Sequence, residues 1–293
     1  MANARALDKR RKSIRNIRKI TRTMELIATA RYKKAMDRAA AATAYTQQIT
    51  KIVGRLAAAG LNVQHPLLEQ REEIRAQRVL VLSSNRGLCG GYNAAILRKA
   101  MPYIQEIGSS PAVLAVDVSG KRGINGFAFR GIETDQHFLQ FEDQPAYDEV
   151  EKIADDYLNQ YVTGQIDRLD VVYTRFISTS VQEAVRETLL PLGSLGEGEP
   201  EASTGNHAEY EFLPSAESIL EEVVPTSFKV KLFKCFLDAA VSEQVARMIA
   251  MKGATESAGD MIKQLSMTYN RARQSQITGE IMEIIGGVEA LEG

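Results

Sequence analysis

The sequence predicts an α/β protein: a long antiparallel coiled coil of N- and C-terminal helices flanking a central Rossmann-like α/β domain. Three observations predict it. All eight prolines lie between Pro66 and Pro225, both flanks carry apolar residues in alternating steps of three and four, and the middle alternates short apolar runs with helical spacing. Proline inside a helix costs about 3 kcal/mol, so flanks without it are free to be long helices. The expected division is 1–60 for the first helix, 75–215 for the α/β domain and 226–287 for the second helix.

The N-terminal flank sets out its seam as Ile14, Ile17, Thr21, Met24, Ala28, Arg31, Ala35, Arg38, Ala42, Tyr45, Ile49, Ile52 and Leu56. That is the coiled-coil period, with arginines interrupting it. The C-terminal flank repeats the steps at Leu232, Cys235, Ala239, Ser242, Ala246, Ile249 and Gly253, and a stripe continues through Ala258, Ile262, Leu265, Tyr269 and Ala272. Small residues fill much of both seams, so the helices can approach closely. Each flank would form a rod of roughly 75–90 Å. A rod of that length cannot fold back within one globule, and antiparallel pairing buries both seams at once.

In the middle, Arg78–Ser84, Ala112–Val118 and Leu169–Thr179 read as strands, and 124–133 as a possible further one. Residues 181–190 could pair with Leu169–Thr179. Asn93–Ile107 and Ala146–Gln165 have helical spacing. Such alternation implies a largely buried sheet. Residues 193–209, rich in Gly, Glu and Ser, read as a surface loop.

Composition narrows the function. The chain is 44% apolar and 25% charged with a net charge of −1, ordinary for a chain that buries a core. Two cysteines, Cys89 and Cys235, exclude a disulfide scaffold or a four-cysteine zinc site and fit a reducing compartment. No apolar core of export-signal length follows the basic N-terminus, and no run approaches the roughly 18–20 apolar residues that span a bilayer. Membrane attachment must go through a partner. Charge is nevertheless concentrated: residues 1–38 hold thirteen Lys and Arg against Asp8, Glu25 and Asp37. The plain reading is a solvated helix face, but a net charge of this size usually has an anionic partner, whether nucleic acid, acidic membrane or acidic protein surface.

Catalytic chemistry is poorly represented. Gly87, Cys89, Gly90 and Gly91 form a turn between a strand and a helix, where α/β proteins often cradle phosphate. Neither G-x-G-x-x-G nor G-x-x-x-x-G-K-[ST] is present, and a tight structural turn is the better reading. Cys89 has no histidine nearby in sequence and reads as a buried small side chain. His65, His137 and His207 show no metal-ligand spacing. No catalytic residue, cofactor site or metal site is expected. Ile277–Leu291 reads as an apolar helix tip: a dimer contact or simple core is the plain explanation, and a seat in an apolar sleeve of another protein is the sharper one.

Four segments, in order, resemble one family. Ile14–Leu26 (IRNIRKITRTMEL), Ser83–Asn93 (SSNRGLCGGYN), Ser242–Thr255 (SEQVARMIAMKGAT) and Tyr269–Glu283 (YNRARQSQITGEIME) are similar to the gamma subunits of rotary F-type ATP synthases of bacterial type. The resemblance covers the whole chain. Asn85 stands where the family usually has Asp, Glu256-Ser257 replaces the usual Asp/Glu-Asn, and Gly287-Val288 interrupts the usual tail. The paired-cysteine insert of chloroplast forms is absent. The resemblance implies a central-stalk rotor that passes torque between a proton-driven c-ring and a catalytic hexamer of alpha and beta subunits, with epsilon beside it. It implies no catalysis and no nucleotide site in this chain, and a peripheral place on the cytoplasmic face of the bacterial plasma membrane. It further implies that Arg273 and Gln274 engage a loop of beta, that Thr278 and Glu280 share that region, and that Met24 faces an acidic segment of beta. The rivals are a nucleic-acid-binding coiled coil using the basic helix, which lacks a reading module, and a nucleotide-dependent enzyme, which lacks a fingerprint.

Overall fold

The computed structural model describes residues 4–58, 66–68, 71, 73–141, 144–192 and 216–292. The loop expected over 193–209, together with His65 and His207, lies outside the described residues. In chain order the elements are α1 (Ala4–Ala58), β1 (Ala76–Leu82), α2 (Tyr92–Gly108), β2 (Val113–Ser119), α3 (Lys121–Ala128), β3 (His137–Phe138), α4 (Tyr147–Val162), β4 (Arg168–Phe176), β5 (Gln182–Leu190) and α5 (Ala216–Glu292). The coiled-coil helices and the mixed α/β sheet are those the sequence predicts.

One sheet runs in the order β3-β2-β1-β4-β5. Central β1 pairs parallel with β2 and β4, while β5 returns antiparallel to β4. The run Val79-Leu80-Val81-Leu82 is wholly buried because each face is covered. Val79 and Val81 pack with Ile96, Leu97 and Phe127 of α2 and α3, whereas Leu80 and Leu82 pack with Tyr157 of α4 and Phe228 of α5. Continuous apolar character is what a parallel strand buried on both faces requires. At the centre Asp117 is fully buried, ion-paired to Arg78 at 2.9 Å and accepting from Tyr157 Oη at 2.8 Å.

Two expectations change. Residues 124–133, read as a possible strand, instead lie partly in helix α3. Gly123 and Phe127 are buried one turn apart, and a Cβ on Gly123 would stand 2.4 Å from Ser83 Oγ and 2.8 Å from Val118 Cγ1. The glycine lets this short helix lie against the sheet, and the strand pairing shrinks to two residues at β3. The second change concerns α5, which starts at Ala216, ahead of Pro225 rather than after it. Proline removes one backbone bond there, at about 3 kcal/mol. The fully buried Val224 and Phe228 on either side offset it, at roughly 1.5–3 kcal/mol each.

Contacts divide the chain into two compact units, Met1–Thr29 with Arg247–Gly293, and Ala30–Ala246. In the larger unit, Ala35 and Ala39 of α1 pack on Leu237, Val241 and Val245 of α5. Ala39, not Arg38, takes the buried place, since a charged group at that depth would have no partner. In the smaller unit the helices also run antiparallel: Thr255 Oγ1 donates to Thr21 Oγ1 at 2.9 Å, and the Arg11 guanidinium lies 4.7 Å from the Tyr269 ring centroid. Ala28, Met251 and Ala258 are buried there, while Ile17 and Ile249 are exposed.

Gly123→Ala is expected to destabilise the chain by about 1–3 kcal/mol through overpacking. Thermal melts followed by circular dichroism should show a fall of about 2–4 °C per kcal/mol. Gly108→Ala, whose Cβ would meet nothing within 4 Å, is the control and should leave the melt within error.

Candidate functional site

The N-terminal part of α1 is a cationic helix because its sequence supplies almost no acid. Asp8 is spent on Arg11 at 2.6 Å and Lys12 at 3.0 Å, and these two cations hold its carboxyl below the usual range. Glu25 is spent on Arg22 at 2.7 Å. Lys9, Arg10, Arg15, Arg18 and Lys19 have no carboxylate partner among the described residues. Lys12, Arg15, Arg18, Lys19 and Arg22 line an open groove of about 830 Å³ with Ile262 of α5. Arg18 reaches across to α5, where its guanidinium lies 3.8 Å from the place a Cβ on Gly259 would take, an ordinary packing distance.

Met24 lies on this helix between the buried Thr21 and the buried Ala28, and is itself half-buried. Its neighbours are the Arg22–Glu25 pair. Arg273, Gln274, Thr278 and Glu280 are all exposed on α5. Helical spacing puts Arg273 and Glu280 on one face seven residues apart, with Gln274 and Thr278 one turn apart beside them. Glu280 accepts from Gln276 Nε2 at 2.9 Å, and Arg273 has no ion pair among the described residues. Beyond them Ile277, Ile281, Met282, Ile284, Ile285 and Val288 are exposed as well, 43–67% each. Ile262, on the predicted stripe of α5, lines the groove. Thr255, which meets Thr21, lies off that stripe, and a three-and-four step says that a residue faces the seam but not what it meets.

The glycine turn is at the other extreme of order. Leu88 and Gly90 take left-handed backbone, φ 63 and 56. Asn93 Oδ1 accepts from Ser84 N at 3.0 Å, and Asn93 Nδ2 donates to Cys89 Sγ at 3.1 Å, with Cys89 buried. Arg122 lies against Gly87, with its Nη2 2.9 Å from where a Cβ would stand, and Gly91 precedes α2. The turn amide at Ser84 is therefore satisfied from within. In this topology a ligand would enter between the carboxyl ends of β1 and β4, where strand order reverses. That crevice is taken by α5: Tyr92 Oη donates to Ala239 O at 3.1 Å, Ser242 Oγ donates to Thr174 O at 3.2 Å, and Ala246 packs on the core of β1 and α2. No group of three or more metal-ligating side chains is found among the described residues.

Comparison with known proteins gives the family. The family model described as ATP synthase matches residues 3–291. The ATP synthase gamma chain of Rhodopirellula baltica is 83% identical over 296 residues, covering all of both chains. That of Desulforamulus reducens is 36% identical over 292 residues, again covering all of both. The fold is similar to the rotor of the Euglena gracilis mitochondrial ATP synthase, with TM-score 0.63, 18% identity and coverage of 94% of this chain and 98% of that one. The central stalk of the Tetrahymena thermophila enzyme gives TM-score 0.55 at 15% identity, over 80% and 99% of the two chains.

Asn85 does in this chain what a carboxylate cannot. Its Nδ2 donates to Leu139 O at 3.0 Å and Phe141 O at 2.9 Å, while Oδ1 accepts from Lys121 N at 3.0 Å. Asn85→Asp is expected to cost about 1–3 kcal/mol at pH 7 by setting a charge against two carbonyls. The same carbonyls raise the folded-state pKa of the new acid above its unfolded value. The deficit should therefore shrink as pH falls through the folded pKa, because the protonated acid donates once. Melts of both forms at pH 7 and about pH 4 measure it.

Proposed function

The chain belongs to the gamma-chain family of the ATP synthase, and on that footing we propose how its surface carries the family's work. It is the central-stalk rotor subunit, non-catalytic itself, and passes torque between the c-ring and the alpha/beta hexamer whose beta subunits do the chemistry. Its partners are the alpha and beta subunits, epsilon and the c-ring. It is a peripheral part of a membrane complex, and no described helix is long and apolar enough to cross a membrane. Its place is the cytoplasmic face of the bacterial inner membrane. Nucleic-acid binding by the basic helix is not favoured by this family.

The carrying observation is the unmatched surface of the smaller unit: a row of cations without counter-charge on α1, and an apolar, exposed stretch on α5. Exposed isoleucines in such number call for cover by another protein. The cationic row suits acidic beta surface, and the apolar tip suits a sleeve formed by alpha and beta. Arg273 offers a planar, permanently charged fork to a carboxylate or carbonyl of beta, with Gln274, Thr278 and Glu280 in the same contact. Met24 is the contact nearest the α1–α5 seam. An uncharged, flexible side chain slides past successive surfaces without a strong preference. A moving contact needs that property, since any pair that binds tightly at one angle must be broken to leave it.

Replacing Arg273 and Gln274 together by alanine is expected to impair assembly or coupled turnover of the complex while the isolated chain keeps its helicity. Lost helicity with normal turnover would assign the pair an intramolecular role. Met24→Lys adds a cation facing beta, and a new ion pair contributes on the order of 1–3 kcal/mol at one angle. At 1.4 kcal/mol per tenfold in rate, the step slows several-fold to about a hundredfold. The variant complex should assemble, couple ATP turnover to proton movement poorly, and show a steeper temperature dependence. Neutralising the facing acid of beta should restore coupling. If Met24 serves only the seam, the isolated variant melts lower and the change in beta rescues nothing.

A further inference from the structure

At the amino-terminal end of the sheet, four elements bring together Gln77 of β1, Tyr103 of α2, Arg168 of β4 and Arg186 of β5 beside a cavity of about 330 Å³. That volume is at the low end for small-ligand sites. The organising group is Asp170, fully buried on β4. Its carboxylate accepts from Gln77 Nε2 at 2.6 Å, Tyr103 Oη at 2.8 Å, Thr188 Oγ1 at 2.6 Å, and Arg168 through Nε at 2.9 Å and Nη2 at 3.3 Å. Gln77 Nε2 also donates to Tyr103 Oη. Five donors saturate a carboxylate, and burial with the Asp170 charge pushes the Tyr103 phenol up to about 12, so it stays a neutral donor.

Asp170 therefore answers the charge of Arg168 and nothing more. Arg186 is a second cation in the same wall. Its guanidinium carbon lies 3.9 Å from the centroid of the Tyr103 ring, and it has no carboxylate and no hydrogen-bond partner among the described residues. Stacking on the phenol fixes its plane and leaves its N–H edge unused. Arg168 Nη1 is likewise without a partner there, while the other two nitrogens are locked on Asp170. Two oriented guanidinium edges lining one cavity form a fork for a planar anion. Glu106 also lines the cavity and has no cation paired to it among the described residues. Its charge opposes a doubly charged group such as phosphate about twice as strongly as a singly charged one, so the fork discriminates toward a single negative charge. Ile74 and Ile107 supply apolar wall beside the fork.

We propose that this cavity binds one carboxylate group, held by the free edge of Arg186 and by Arg168 Nη1, with a short apolar body against Ile74 and Ile107. Nothing in the rotor role uses these residues. A small free carboxylic acid and an acidic side chain of a partner subunit carry the same group, and one experiment separates them. The full chain, with ¹⁵N-labelled arginine, is titrated with sodium propionate, and in parallel with sodium chloride and sodium phosphate at matched ionic strength. The Arg186 Nε signal is identified by its loss in Arg186→Gln, which leaves the Arg168–Asp170 pair intact. A saturable shift of the Arg186 and Arg168 signals with propionate is expected, absent with chloride and weaker with phosphate. In Arg186→Gln the Arg168 response should require about tenfold more propionate. In the second arm, hydrogen exchange is compared between the chain alone and the assembled complex. Protection of residues 103–110 and 182–188 in the complex, lost in assembled Arg186→Gln, assigns the carboxylate to a partner. Equal responses to chloride and propionate with no such protection, or tighter binding of phosphate than propionate, overturn the proposal.

Discussion

The larger unit depends on one packing event, the burial of residues 224–245 of α5 against the sheet. Val224, Phe228, Leu232, Cys235, Phe236 and Ala239 enter the same cluster as Leu80, Val171 and Tyr173 of the strands. At roughly 1.5–3 kcal/mol for each large apolar side chain, this helix face is a principal contributor to the core of the domain. The same stretch closes the crevice at the carboxyl ends of β1 and β4. A topology that elsewhere receives a ligand there is here completed by its own backbone. Lack of a phosphate fingerprint in the sequence and occupation of the crevice in the fold are two views of one fact.

The smaller unit is built on the opposite economy. Its helices share a seam of alanine, threonine and glycine, which gives close approach but little buried area per residue. What remains outside is charge of one sign and unshielded isoleucine. Exposed cations on one helix repel one another over a screening length of about 8 Å, which does nothing for the stability of the isolated chain. Such a surface is arranged for something other than the chain's own fold. On the reading proposed above, a set of many weak attractions, none of them geometrically unique, would resist separation from the hexamer without fixing an angle.

Legibility in the sequence followed periodicity. The flanking helices, the buried β1 run and the β4–β5 hairpin each carry a repeat in chain order, so they could be read from it. Residues 124–133 could not, because Gly123 and Gly126 look like turn residues until the neighbour that needs the space, Ser83 or Leu97, is in place. Pro225 argues for a break, because the residues that bury Val224 and Phe228 and so offset it, Leu80 and Tyr157 among them, are distant in sequence. The proposed partner contacts, Met24 and Arg273 among them, come only through resemblance. The register that places Thr21 against Thr255 was not visible, because a period fixes a face but not which turn meets which. The Asp170 cluster was hidden for a further reason: its five members come from four elements, and no two of the donor residues are nearer than twenty residues apart.

Both thiols are inside the larger unit, Cys89 at 2% exposure and Cys235 at 3%, and burial pushes the Cys235 thiol well above its ordinary range. Enclosed at that depth, neither sulfur presents itself to an alkylating reagent or to a second chain while the fold is closed. The native chain thus comes already blank for site-directed labelling. A single cysteine placed on the exposed face of α5 would be the one reactive position, and a fluorophore or bead attached there would follow the turning of the stalk without any prior removal of natural sulfur.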